Sequence, residues 1–120
     1  MKSYKDLEIY QIAFELAIKV YHLSMKLPCP DKTETGGQIR RSSQSTKDLI
    51  VEGYGRRRYK ADFLKYLVYG HASVLESISQ AEFLDNIHPD TGWAETATSL
   101  DLLGIKVFNF ISYVEENWKL

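Results

Sequence analysis

The sequence predicts an all-α chain folded as one antiparallel, up-down-up-down four-helix bundle. Three observations predict it. Apolar residues recur at spacings of three and four along four long segments, the period of a helix face. The 120 residues hold only three prolines and seven glycines, and these fall mostly near segment ends. The connecting stretches are short, and short loops between long helices force consecutive helices to run antiparallel. No stretch alternates at period two, and no internal repeat or low-complexity tract is present. A chain of this length fits a single domain, 1–120.

The first helix is expected over about residues 6–27. Ile9, Ile12, Ala13, Leu16, Val20, Leu23 and Leu27 form one stripe, and Pro28 and Pro30 stop it. Placing residues at about 100° intervals exposes a second apolar stripe, Tyr10, Phe14, Ile18, Tyr21 and Met25. Gln11, Glu15, Lys19, His22 and Lys26 leave only a polar wedge between the two. A surface helix of a monomer is apolar on one side, so this helix asks for two partners. The second stripe is therefore the candidate oligomer interface.

The second helix is expected over about residues 35–53, facing inward with Ile39, Ser42, Ser43, Thr46, Leu49, Ile50 and Gly53. Such small and hydroxyl side chains let a neighbouring backbone come close. The third, about 59–86, faces inward with Phe63, Leu67, Gly70, Val74, Ile78 and Ala81. The fourth, about 91–118, follows His88-Pro89-Asp90 and presents Trp93, Ala97, Leu100, Gly104, Val107, Ile111, Val114 and Trp118.

Composition narrows the function. Cys29 is the single cysteine, which rules out an intramolecular disulfide and a thiol cluster for metal. The start has no apolar core of signal-peptide type, and no apolar run nears the roughly 18 residues of a membrane span. A cytoplasmic location and no membrane partner are expected. Net charge is −1, yet it is unevenly spread. Residues 31–65 carry nine Lys/Arg against five Asp/Glu, and residues 76–120 carry two against eight. Such asymmetry suits anion recognition at one pole or head-to-tail attraction between subunits.

Catalytic chemistry finds no foothold. Di-iron bundles need Glu-x-x-His pairs, and the nearest approach is Asp85-x-x-His88 at a helix end. Ser42, Ser43 and Ser45 have no histidine close in sequence and no Gly-x-Ser-x-Gly elbow. His22 and His71 are isolated, and phosphate-loop and dinucleotide fingerprints are missing. No catalytic, cofactor or metal residue is expected, and the chain reads as a non-enzyme. One polar set stands out: Arg41, Ser45, Asp48 and Glu52 share a side of the second helix, and Glu76 points away from the apolar stripe of the third. Two readings stay open for it, a solvated face with weak ion pairs or a network fixing register between helices or subunits.

Several motifs carry a family resemblance. Gln38-Ile39-Arg40-Arg41-Ser42-Ser43-Gln44-Ser45, then Ile50-Val51-Glu52-Gly53-Tyr54-Gly55-Arg56, resemble the core signature of four-helix-bundle proteins encoded in 23S rRNA intervening sequences. Phe63-Leu64, Ser73-Val74-Leu75-Glu76, the opening Tyr4-Lys5-Asp6-Leu7 and the Leu27-Pro28 loop resemble it too. Two positions depart: Leu49 stands where the family usually has Asn, and Ala72 where it usually has Gly. The resemblance implies a bundle, often homopentameric, without established enzymatic activity. A related group, the accessory variability proteins of retroelement reverse transcriptases, is associated with a basic nucleic-acid-binding surface.

The candidate anion-binding segment is Arg56-Arg57-Arg58-Tyr59-Lys60, just before the third helix. Cations are unfavourable beside a helix N-terminus, whose free N–H groups suit phosphate, so the cluster asks for an explanation. Tyrosines there could stack on unpaired bases. The competing explanation is a basic loop pairing with the acidic C-terminal half of its own chain or a neighbour. The expected function is a homo-oligomeric assembly or protein-interaction module whose partner is itself. The alternative is RNA binding through the basic loop, with RNA or a nucleic-acid-bound protein as partner.

Overall fold

The computed structural model describes residues 3–119. A single 3-10 turn, Tyr4–Asp6, precedes four helices: α1 (Glu8–Met25), α2 (Thr35–Gly55), α3 (Lys60–Ile87) and α4 (Trp93–Asn117). The first boundary differs from the sequence expectation for a local reason. Ser3 Oγ accepts from the Lys5 N–H at 3.1 Å while the Asp6 carboxylate accepts from the Ser3 N–H at 3.1 Å. This capping box closes its own turn, and the extended, buried Leu7 separates it from α1. At the start of α4, Gly92 adopts φ +102° with its α-carbon against Leu23. Only glycine takes that backbone conformation without cost.

Contact registers give the direction of each helix. Gly53 lies against Phe63 and Tyr66, Gly70 against Thr46 and Ile50, and Ser42 against Ser77. Numbers fall along α2 as they rise along α3, so the two are antiparallel. Gly104 against Val74, with Phe63 against Phe110 and Trp118, does the same for α3 and α4. Glu8 reaches Lys106 while Leu23 reaches Gly92, which sets α1 antiparallel to α4. Each helix packs on its two neighbours and none touches the diagonal one, so α1, α2, α3 and α4 run in order round a square. The rod measures 49 × 20 × 19 Å.

The core sits where the four faces meet. Val20, Ile39, Phe63, Leu67, Trp93 and Val107 are fully buried, each large side chain contributing roughly 1.5–3 kcal/mol by leaving water. The buried sector of each helix is wider than a single stripe. Ala17 and Ser24 on α1, Ser77 on α3, and Thr96 and Leu103 on α4 join it, because each helix meets two neighbours at about a right angle. Ile12, Leu23, Leu49, Ile78, Ile111 and Trp118 sit at the margins and are half-buried. Every buried side-chain nitrogen and oxygen among the described residues has a partner.

Two glycines of α2 should respond oppositely to alanine. A Cβ on Gly36 would lie 2.8 Å from the Asp31 carbonyl oxygen, which is backbone and cannot swing away, whereas a Cβ on Gly55 meets nothing. Gly36→Ala should cost about 1–3 kcal/mol despite the better helix former. Gly55→Ala should gain about 0.4–1 kcal/mol by restricting the unfolded chain. Urea unfolding of both variants checks the pair of signs.

Candidate functional site

Helix α1 leaves its second stripe uncovered. Phe14, Ile18, Tyr21 and Met25 are between 38% and 45% exposed, and only Tyr10, held edge-on by Tyr4 at 4.9 Å, is partly covered. Leu23 faces α4 and Ser24 faces α2, where Arg40 Nη1 donates to its hydroxyl at 2.8 Å. Going round the helix from Leu23 past Ser24 leads on to the stripe, so the stripe lies on the α1/α2 side of the bundle.

A second uncovered apolar surface lies across the molecule. Val68 and Leu75 of α3 and Ile105 and Phe108 of α4 are between 51% and 58% exposed. Leu75, Ile105 and Phe108, with His71, Ile78, Asp101 and Gly104, line a groove between the two helices. Sequence reading missed this surface, although Val68 and Leu75 are seven residues apart and Leu102, Ile105 and Phe108 three apart. Both spacings recur on one helix face, as they do on α1.

The five polar residues singled out from sequence do not gather into one network. Arg41, Ser45 and Glu76 line a polar groove of about 400 Å³ between α2 and α3, together with Gln38, Ser42 and Ser73. Asp48 pairs instead with its neighbour Lys47 at 2.8 Å, and Glu52 with Arg56 at 3.3 Å. The cross-helix bonds run through other groups. Ser42 Oγ lies 2.7 Å from Ser77 Oγ and 2.9 Å from the Gln80 side-chain oxygen, while Ser73 Oγ donates to Ser45 Oγ at 3.5 Å. Glu76 only accepts from Gln80 on its own helix, at 3.5 Å.

The basic loop proves to be built into the bundle. Arg56 is the C-cap of α2, so it stands beside a helix C-terminus, where a cation is favourable. Its guanidinium also meets Asp62 in the first turn of α3 and lies 4.5 Å over the Tyr66 ring. The Arg57 guanidinium stacks 4.0 Å over Tyr54 and donates to the Tyr54 carbonyl at 3.0 Å. Lys60 Nζ donates to the Glu115 carbonyl at 2.6 Å, in the last turn of α4, and Trp118 Nε1 donates to the Arg57 carbonyl at 3.3 Å. In an antiparallel square the C-termini of α2 and α4 share one pole, and the cations neutralise their carbonyl ends. The expectation that these cations oppose local stability is therefore corrected. Arg58 and Tyr59 alone in this segment have no side-chain partner among the described residues, and Tyr59 is 65% exposed.

The 23S rRNA-intervening sequence protein family matches residues 5–89 of the chain. The chain belongs to this family. Comparison with curated proteins returns no match. The family match spans α1, α2 and α3 and ends just before α4, and its motifs have physical reasons in the fold. Arg40 ties α2 to Ser24 and to the Lys32 carbonyl, at 2.8 and 2.9 Å. Gly53 allows the approach to Phe63 and Tyr66. The two departures from the family pattern are mild. Leu49 is half-buried against Gly70, and Ala72 is exposed, so its methyl group does not hold α3 away from its neighbours.

Among the described residues, no three His, Cys, Asp or Glu side chains cluster as metal ligands, and no helix is long and apolar enough to cross a membrane. The loop arginines should separate by role. Arg57→Ala should cost about 0.5–1 kcal/mol through the lost stacking, whereas Arg58→Ala should stay within about 0.5 kcal/mol of wild type. Thermal unfolding followed by circular dichroism distinguishes them.

Proposed function

We propose that the chain is a non-enzymatic module that assembles with copies of itself. The observation that carries this reading is the second stripe of α1, which the folded chain leaves in water. Four large apolar side chains aligned along one helix form a contiguous patch of the kind that marks an interaction site on a soluble protein. No described residue of the same chain turns to cover them. A second copy, present wherever the first is made, is the simplest cover.

RNA binding at the basic pole is the second reading, and Arg58 with Tyr59 favours it. A free guanidinium beside a free aromatic ring offers a phosphate contact and a stacking platform together. The same pole lends less to this reading than three arginines suggest, since Arg56 and Arg57 are already engaged within the chain.

Replacing Phe14 or Tyr21 with glutamate should convert the protein from oligomer to monomer with its helix content unchanged, as light scattering and circular dichroism would record. A wild-type protein that is monomeric at micromolar concentration would sink the proposal. For the second reading, affinity for a single-stranded RNA should fall steeply with salt. Arg58→Glu should weaken binding and lower the salt slope by about one, leaving stability intact. Affinity unaltered in Arg58→Glu would remove the basic pole from consideration.

A further inference from the structure

The two uncovered apolar faces are complementary in position, shape and charge. The stripe of α1 lies on the α1/α2 side and the groove on the α3/α4 side, and in a square bundle without diagonal contacts these sides are opposite. The stripe is a ridge of large side chains, whereas the groove has Ala94, Ala97 and Gly104 along its α4 wall. Its hollows measure about 560 and 220 Å³ and share Ile78 and Asp101, so they form one channel. Lengths agree as well: Tyr10 to Met25 spans about 22 Å of helix, and Ala94 to Phe108 about 21 Å.

Charge sets the direction. Glu82, Asp85 and Asp101 line the channel towards the start of α4, and no lysine or arginine among the described residues lines any of it. The other end, at His71, Leu75, Ile105 and Phe108, is apolar. On the opposite side, Arg40 sits at the C-terminal end of the stripe, where it donates to Ser24 and the Lys32 carbonyl, and among the described residues no carboxylate pairs with it. The N-terminal end of the stripe is aromatic, with Tyr10 and Phe14 5.9 Å apart.

We infer that the α1 stripe of one copy seats in the α3/α4 groove of the next, with α1 antiparallel to the α4 it covers. This pairing rests on the self-assembly reading and specifies its geometry. Tyr10 and Phe14 meet the apolar end of the groove, and Arg40 meets Glu82 and Asp85. After a first pairing each copy still holds one unused face on its opposite side. The contact is heterologous, so it propagates from copy to copy until the rotation closes a ring.

Two double variants test the pairing, because each destroys one face and keeps the other. Phe14→Glu with Ile18→Glu removes the stripe, and Leu75→Glu with Phe108→Glu removes the groove. All four side chains are exposed, so both variants should keep their helical circular dichroism. If either loses it, serine at the same positions replaces glutamate. Self-association of each variant alone should weaken more than about 100-fold, leaving monomers in light scattering. Mixed together, the two should form a heterodimer and nothing larger, since one intact groove and one intact stripe remain. Folded variants that stay monomeric when mixed would overturn the pairing, as would either variant alone keeping the wild-type mass. A monomeric wild type would instead fail the assembly reading itself, and the pairing with it.

Discussion

The close seam between α2 and α3 is the constraint on which the rest of the molecule depends. Helix α2 brings few large apolar side chains to the core: Ile39 and Ile50 are fully buried, Tyr54 nearly so, and Leu49 half so. It compensates by approach rather than by size. A Cβ on Gly53 would press to 3.2 Å from Tyr66, while one on Gly70 would just reach ordinary contact with Leu49, Ile50 and the Thr46 carbonyl. The Ser42 and Ser77 hydroxyls face each other in the same seam, where a buried pair left half-satisfied would cost about 1–3 kcal/mol. Dispersion falls steeply with distance, so a seam of small side chains holds only when closed completely. Once α2 and α3 are locked in this register, α1 and α4 can each lie only across the one open flank. That fixes which of their faces point outward.

Outward faces are the next consequence. Helix α1 buries a sector running from Leu23 to Ser24 and leaves Phe14, Ile18 and Tyr21 beyond it. Helices α3 and α4 meet through Val74 and Gly104, and Gly104 lines the groove between them. Ridge and groove thus arise from one cause. A bundle whose helices approach through small residues on some faces must carry its large residues on others. Some of those others are in water.

Periodicity made the four helices and most of the core legible, because the 3.6-residue repeat is a local property. The second stripe of α1 was legible for the same reason. What the sequence could not display was how helix ends gather at the poles. Arg56 reads along the chain as a cation before the N-terminus of α3, yet in the fold it caps the C-terminus of α2. Lys60 opens α3 in sequence while its ammonium serves the end of α4, 55 residues away. The contacts of the polar set within the chain were hidden for a related reason. Spacing placed Arg41, Ser45, Asp48 and Glu52 along one side, but bonds across the seam depend on which residues of α3 arrive opposite. Ser77 and Gln80 arrive there, and their partner Ser42 had been read only as a packing residue.

The charge asymmetry acquires a physical meaning from this arrangement. At the pole shared by the C-termini of α2 and α4, the Arg57 guanidinium donates to the Tyr54 carbonyl and the Lys60 ammonium to the Glu115 carbonyl, which accounts for part of the positive excess between residues 31 and 65. The negative excess between residues 76 and 120 is not consumed in the same way. Within the chain the acids bordering the α3/α4 groove, Glu82, Asp85 and Asp101, form no ion pair among the described residues, and three carboxylates along one groove repel one another. Repulsion of this kind weakens a lone bundle slightly and is relieved when cations approach from outside. The α3/α4 groove therefore holds unpaired carboxylates beside exposed apolar surface, where a single contact would satisfy both.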